Sequence, residues 1–305
     1  MARRATAIAQ FREHALDCSL FIVPLFSVLA TLDPPLGLLV GEELSRHGVT
    51  VATGVAVETV GRRGQRLSIT GSAGFRAETD LVLVATGVRP EAGLAAAAGI
   101  ETGKWGALRV NRAMETNVPH VYAAGDCAET YHRLLERCVY LPLGSTAHKQ
   151  GRVAGENAAG GGVTFSGTLG TQAVQVFDLV AARTGLRDAE AREAGFDPLT
   201  VEVEAWDHKV YYPGAHTLHV RITGDRGTGR LLGAQIVGHR AAEVSKRVDV
   251  FAAALFNRMA VAGLSDVDLS YTPPLSSPWD AVQMAAQGWV TEQSRTVPVP
   301  NEVIG

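Results

Sequence analysis

The sequence has no cysteine framework. Its 305 residues hold three cysteines, Cys18, Cys127 and Cys138, and no C-x-x-C or C-x-x-x-x-C pair. That excludes a disulfide-stapled scaffold, a Cys-rich zinc site and a local dithiol redox centre; a reducing cytoplasm fits. Charge of one sign is not clustered either: 28 Lys and Arg stand against 31 Asp and Glu, for a net charge of −3. A polyanion partner needs grouped Lys and Arg, so nucleic acid is not expected. Long hydrophobic runs are also missing. The stretch Leu20 to Phe26 is broken by Pro24 and is too short to span a bilayer. Glu13 and Asp17 before it, with no A-x-A-like end, make it a poor signal peptide, and residues 1–27 read as an atypical N-terminal segment. Finally, no G-x-G-x-x-G occurs, so the close backbone approach that a dinucleotide pyrophosphate needs at a helix start is not encoded here.

What remains is a chain with 46% hydrophobic and 19% charged residues, long enough for two core-bearing domains. Asp33-Pro34-Pro35 starts a helix, with prolines tolerated in the first turn. Leu36, Leu39, Val40 and Leu44 then recur at helical spacing up to Gly48. Strands are expected at Val49 to Thr53, Val55 to Val60, Gln65 to Thr70 and Phe75 to Glu78, followed by a buried strand, Leu81 to Ala85. A short helix of small residues, Gly93 to Gly99, and a strand, Gly103 to Val110, follow. After the cluster Gly160-Gly161-Gly162, alternating runs at Thr171 to Phe177, Leu179 to Thr184, Leu199 to Trp206, His216 to Thr223 and Leu231 to Val237 read as an antiparallel sheet. Helices are expected near Asp188 to Ala194 and at Ala242 to Met259, which makes an α+β unit.

The centre of the chain carries the chemistry. An apolar strand, His120 to Ala124, is expected to end in Gly125-Asp126, with bare backbone and one carboxylate at a sheet edge, where open α/β sheets bind ligands. About twenty residues on, Gly144-Ser145-Thr146 precedes a helical run, Ala147 to Ala159, whose free N–H groups could face an electron-rich ring or a phosphate. Taken singly, the first is also what a plain turn looks like and the second what an N-cap looks like. Lys149 and Arg152 on that helix read equally as cofactor counter-charges or as a solvated face, and His148 as structural or catalytic. Cys127 reads as core filler. Tyr211-Tyr212-Pro213-Gly214 and Tyr271-Thr272-Pro273-Pro274 each set tyrosine on a proline-stiffened loop, able to address a substrate or a partner chain. No Ser-His-Asp set, paired carboxylates or metal-ligand cluster is legible.

Taken in order, ATGVRPE (85–91), TNVPHVYAAGDCAE (116–129), LPLGSTAHKQGRVAGENA (141–158) and SYTPPLSSPWD (270–280) resemble the FAD-dependent pyridine nucleotide-disulfide oxidoreductases. Within that family the resemblance is to the coenzyme A-disulfide reductase, NADH oxidase and NADH peroxidase group, and to its carboxyl-terminal part. The resemblance implies remnants of FAD/NAD(P)-binding Rossmann-like domains over 28–162, an α+β dimerisation domain over 163–290 and an extended tail over 291–305. It implies that Gly125 and Asp126 hold the ribityl chain of FAD, and that amides at Thr146 and Ala147 stabilise charge on the reduced ring. Tyr212 and Tyr271, with Tyr211 as the register alternative, would reach the partner subunit's active site in a homodimer. NAD(P)H would be the co-substrate, and a small-molecule disulfide, peroxide or oxygen the acceptor. Ser277-Pro278-Trp279-Asp280 stands where the dithiol reductases carry His-Pro-Thr with a nearby Glu, which points away from that branch. Two other readings stay open: a non-catalytic dimerising fragment without flavin, and a half-enzyme completed by another polypeptide.

Overall fold

The structure, a computed structural model, describes residues 19–22 and 28–296. Cys18 and most of the atypical segment expected over 1–27 lie outside them. The described residues form two compact units, one lying within Met1–Thr86, Ala173–Arg183 and Arg187–Gly305, the other comprising Gly87–Gln172 with Thr184–Leu186. The expected boundary at Gly162 falls inside the second.

In the first unit, β1 (Ser19–Ile22) pairs in parallel with β2 (Thr50–Thr53), and helix α1 (Pro34–Arg46) lies between them in sequence. Asp33 is extended and Pro34 opens the helix, where a missing N–H costs nothing. Leu36, Val40 and Leu44, at intervals of four, are fully buried against Val28, Leu29, Leu32, Val49, Phe177 and Val237. The helix stops at Gly48, whose φ of 75° suits glycine, and the Val49 amide turns back to the Leu44 carbonyl. β3 (Val57–Arg63), β4 (Arg66–Gly71) and β5 (Arg76–Thr79) follow as an antiparallel meander.

The same unit holds a five-stranded sheet in the order β10 (Pro198–Trp206), β11 (Thr217–Asp225), β12 (Leu231–His239), β9 (Leu179–Gly185), β8 (Gln172–Val176). β12 is central and buried almost end to end. Helix α5 (Val244–Phe256) contributes Val244, Val248, Phe251 and Leu255 to the core, and α7 (Ala281–Thr296) contributes Ala281, Val282, Ala285, Ala286 and Trp289. Trp289 is fully buried, and its indole N–H donates to the Leu199 carbonyl at 2.7 Å. Gly224 is required beneath it, because a Cβ there would come within 2.6 Å of the indole. A short helix, α6 (Val261–Ser265), precedes α7. Of the tail expected over 291–305, the described part is helical to Thr296, because Trp289 and its neighbours fix that face on the sheet; the rest lies outside the described residues.

The second unit contains a short helix α2 (Gly93–Ala97), a hairpin of β6 (Thr130–His132) and β7 (Arg137–Val139), and helix α3 (Gly144–Ala158). Its cores gather Leu108, Ala123 and Ala128, and separately Met114, Val153 and Phe165. Asn157 acts as a polar staple, donating to the carbonyls of Ala113 and Val163 and accepting the Val163 amide.

Three expected strands do not form. Residues 81–92 have no regular structure, and Leu81 and Val84 are 66% and 70% exposed. The region 103–110 shows only bridges from Leu108 to Thr102 and Ala128. The stretch 120–124 shows a single bridge, Glu115 to Tyr122, with His120 at φ 64°. Apolar, β-branched sequence makes a strand only where a neighbour completes its ladder, and among the described residues no strand lies along any of these.

Glu190, on the short helix α4 (Asp188–Glu193), is held by two arginines. Burial alone would raise its pKa, but hydrogen bonds from Arg183, the amide of Arg187 and both guanidinium charges overcome that and lower it from 4.5 to about 2. The charged form is therefore favoured on folding. This contribution is complete above about pH 4.5 and is lost as the pH falls toward 2. Glu190→Gln should remove that share of the acid sensitivity, read as a flatter stability-versus-pH curve below the ordinary carboxylate range. Trp289→Ala should cost about 3–5 kcal/mol in denaturant unfolding. Trp289→Phe should cost less, about 1–3 kcal/mol, as the Leu199 carbonyl loses its donor.

Candidate functional site

In the second unit the Gly125-Asp126 turn and the start of α3 come together. Gly125 has a φ of 83°, and a Cβ built on it would meet the Ala147 methyl at 3.5 Å. The turn closes with the Ala128 amide on the Gly125 carbonyl at 3.0 Å. Gln150, fully buried nearly two turns into the helix, ties the two pieces. Its carbonyl oxygen accepts the Gly125 amide at 2.9 Å, and its amide donates to the Glu129 carbonyl and the Thr130 hydroxyl. Sequence reasoning missed Gln150. The available signal was polar residues at core positions of one helix, Thr146, Gln150 and Asn157, on the buried stripe with Val153.

The helix start differs from expectation by one turn. α3 begins at Gly144, so the Thr146 and Ala147 amides are already taken by the Leu143 carbonyl, at 3.0 and 2.9 Å. Thr146 is buried and its hydroxyl pairs with that of Thr168. The amides with no acceptor among the described residues are those of Gly144 and Ser145, both exposed. Asp126 is exposed as well, and no side chain or amide among the described residues hydrogen-bonds its carboxylate. The buried Tyr140 hydroxyl has no hydrogen-bond partner among the described residues, and its pKa is raised by burial first and then by the charges of Asp126 and Cys127.

The arrangement therefore offers one free carboxylate and two free amides at the positive end of a fifteen-residue helix. A carboxylate accepts from hydroxyls, and helix-start amides donate to an electron-rich group, so these residues fit a polyhydroxylated, electron-rich cofactor. Lys149 is exposed, and Arg152, also exposed, pairs with Glu156 at 3.4 Å, so this is a solvated helix face. His148 is exposed. Cys127 packs against Leu108, Ala123 and Ala128.

The first unit holds the two tyrosine loops. Tyr211 and Tyr212 are 70% and 38% exposed, with ring centroids 5.1 Å apart, and Tyr271 is 45% exposed. The Lys209 amide donates to the Pro273 carbonyl at 3.2 Å, which joins the loops. Asp280, in the Ser-Pro-Trp-Asp sequence, is buried: it accepts from Arg247 Nε at 3.0 Å and the Ser276 hydroxyl at 3.1 Å, and caps α7 through the Val282 amide. That is a structural ion pair. A separate apolar groove beside α1, lined by Gly37, Leu38, Gly41, Ser45, Val51 and Thr53, carries none of the expected site residues. Among the described residues no cluster of His, Cys, Asp and Glu could hold a metal ion. No helix there is long and apolar enough to cross a membrane.

The fold is that of a Rossmann-like pyridine nucleotide oxidoreductase followed by its dimerisation domain. Residues 7–151 match the pyridine nucleotide-disulphide oxidoreductase profile, and residues 171–282 match the dimerisation domain of the same proteins. The NAD(P)H sulfur oxidoreductase (CoA-dependent) of Pyrococcus abyssi is 36% identical over 249 residues, covering 82% of this chain and 55% of that protein. The coenzyme A disulfide reductase of Staphylococcus aureus is 34% identical over 206 residues, covering 67% and 46%. The solved NAD-dependent persulfide reductase from A. fulgidus superposes with a TM-score of 0.89 at 34% identity, over 95% of this chain and 53% of that one. The chain belongs to the pyridine nucleotide-disulphide oxidoreductase family, whose members are FAD- and NAD(P)H-dependent oxidoreductases. It spans about half the length of the curated relatives it matches.

Gln150→Leu should strand the Gly125 amide and the Glu129 carbonyl. A loss of about 1–3 kcal/mol per unsatisfied group is expected in denaturant unfolding, with far-ultraviolet dichroism nearly unchanged.

Proposed function

We propose that the chain forms part of an FAD-dependent NAD(P)H oxidoreductase that reduces a disulfide such as coenzyme A disulfide, or oxygen or peroxide. For a disulfide the reaction balances as NAD(P)H, a proton and RSSR giving NAD(P)⁺ and two RSH. The observation that carries this reading is the Gly125-Asp126 turn held by Gln150 against the open start of α3. Relatives named for sulfur, persulfide and coenzyme A disulfide reduction support the acceptor class.

FAD, when bound, supplies the hydride acceptor and passes an electron pair to the final acceptor. The chain's own residues bind and orient. Asp126 accepts hydrogen bonds from the ribityl hydroxyls. The Gly144 and Ser145 amides, with the helix dipole behind them, favour negative charge at the ring. Thr146 and Ala147 fix that helix start, one through its buried hydroxyl and the other through contact with Gly125. Tyr212 and Tyr271, with Tyr211 as the alternative, present phenols to the partner subunit's site in an isologous homodimer, a reading supported by the match to the dimerisation domain. A cytoplasmic setting belongs to the same reading and is supported by the free thiols of Cys127 and Cys138.

A second reading, a dimerising remnant that binds no flavin, is favoured by the exposed apolar segment at 81–88 and the missing glycine-rich fingerprint. Visible absorption of the purified full chain, with excess FAD and then NADH under argon, separates the two. A flavin band that NADH bleaches is the expected result, with Asp126→Ala weakening FAD binding about tenfold or more. A spectrum that FAD cannot change would overturn flavin binding by this chain alone and select the remnant.

A further inference from the structure

Arg247 sits at the base of both tyrosine loops. Its guanidinium, in a residue only 7% exposed, spends its donors in three directions: Nε to Asp280, one terminal nitrogen to the Ala242 carbonyl and the other to the Asp207 carbonyl at 2.7 Å. Asp207 begins the first tyrosine loop and closes it at both ends, its carboxylate accepting the His208 and His216 amides at 2.9 and 2.8 Å. Asp280 ends the second. Its carboxylate holds the Ser276 hydroxyl, and the Ser276 amide returns to the Thr272 carbonyl one residue beyond Tyr271. The link from Lys209 to Pro273 joins the loops above this base.

We propose that Asp207, Arg247 and Asp280 form a positioning unit that presents Tyr212 and Tyr271 as one surface. The inference rests on the reading that these tyrosines serve the reaction site, and it deepens that reading. Neither loop has much apolar anchorage of its own: Val210, Tyr211, Leu275 and Trp279 are all exposed. A planar guanidinium can bridge acceptors in different directions, whereas a lysine ammonium is a point charge on a flexible stem. The carboxylate at 280 sets the guanidinium's orientation, and the guanidinium in turn holds the Asp207 carbonyl. The two loops therefore open together or not at all. None of the three residues touches substrate on this reading; they act through the tyrosines.

Hydrogen exchange of the full chain, followed by mass spectrometry, tests this without cofactor or turnover. In Asp280→Asn, peptides covering 207–216 and 271–279 should both exchange about tenfold faster or more, while β11 and β12 keep wild-type protection. Arg247→Lys should do the same although the positive charge is kept, which separates bridging geometry from charge. Acceleration of one loop alone, or of neither, in either variant would overturn the proposal. An equal rise across β11 and β12 would overturn it too, because the pair would then be a general determinant of the fold. Loops that loosen together in a chain that shows no flavin chemistry would leave the positioning unit standing and remove only its catalytic purpose.

Discussion

Buried polar groups must find partners inside the protein, because each one left unsatisfied costs about 1–3 kcal/mol, and much of this chain's order follows from that requirement. The Asp33 carboxylate is 202 positions from Gln235, yet accepts its amide at 2.7 Å, while the Asp33 amide returns to the Gln235 carbonyl oxygen. Arg221 adds a third contact at 3.3 Å. The start of α1 is thereby pinned to the central strand β12, and the apolar face of Leu36, Val40 and Leu44 follows it into the core. Gln150 and Arg247 do the same for the glycine turn and the tyrosine loops. Hydrophobic burial supplies most of the driving force; these side chains decide which segments meet.

The same requirement explains where order stops. Leu81 to Val88 has the composition of a buried strand, yet Leu81, Leu83, Val84 and Val88 are exposed, because a strand's stability lies in the ladder and in cross-strand contacts supplied by neighbours. β-rich composition is an offer that only a second strand accepts. Where neighbours exist on both sides, as for β12, an apolar run becomes a strand buried almost end to end.

In the proposed function the two units have separate parts. One unit sets a free carboxylate beside free helix-start amides, and the other holds tyrosines on loops tied to a buried ion pair. Asp280 shows how position decides role: a carboxylate near the end of a loop is available in sequence, but in the fold its charge is consumed by Arg247 and Ser276. The proposed chemistry falls instead to groups that remain open, Asp126 and the exposed phenols.

By itself the sequence determined the family, the helix starting at Pro34 and the carboxyl-terminal sheet, and it singled out Gly125-Asp126 and the following helix as the expected cofactor site. Those features are written in local periodicity, in glycine and proline placement, and in the order of short motifs, all of which depend on near neighbours along the chain. Only the tertiary structure decided that 81–85, 103–110 and 120–124 are not strands, that α7 continues to Thr296, and that Gly144 and Ser145 hold the free amides while those of Thr146 and Ala147 are spent. It alone revealed Gln150, Asp207 and Arg247 as the residues that hold these pieces in place. The reason is physical: whether a hydrogen-bonding group is free, and whether an apolar run is covered, depends on segments tens to hundreds of residues away, which no local pattern records.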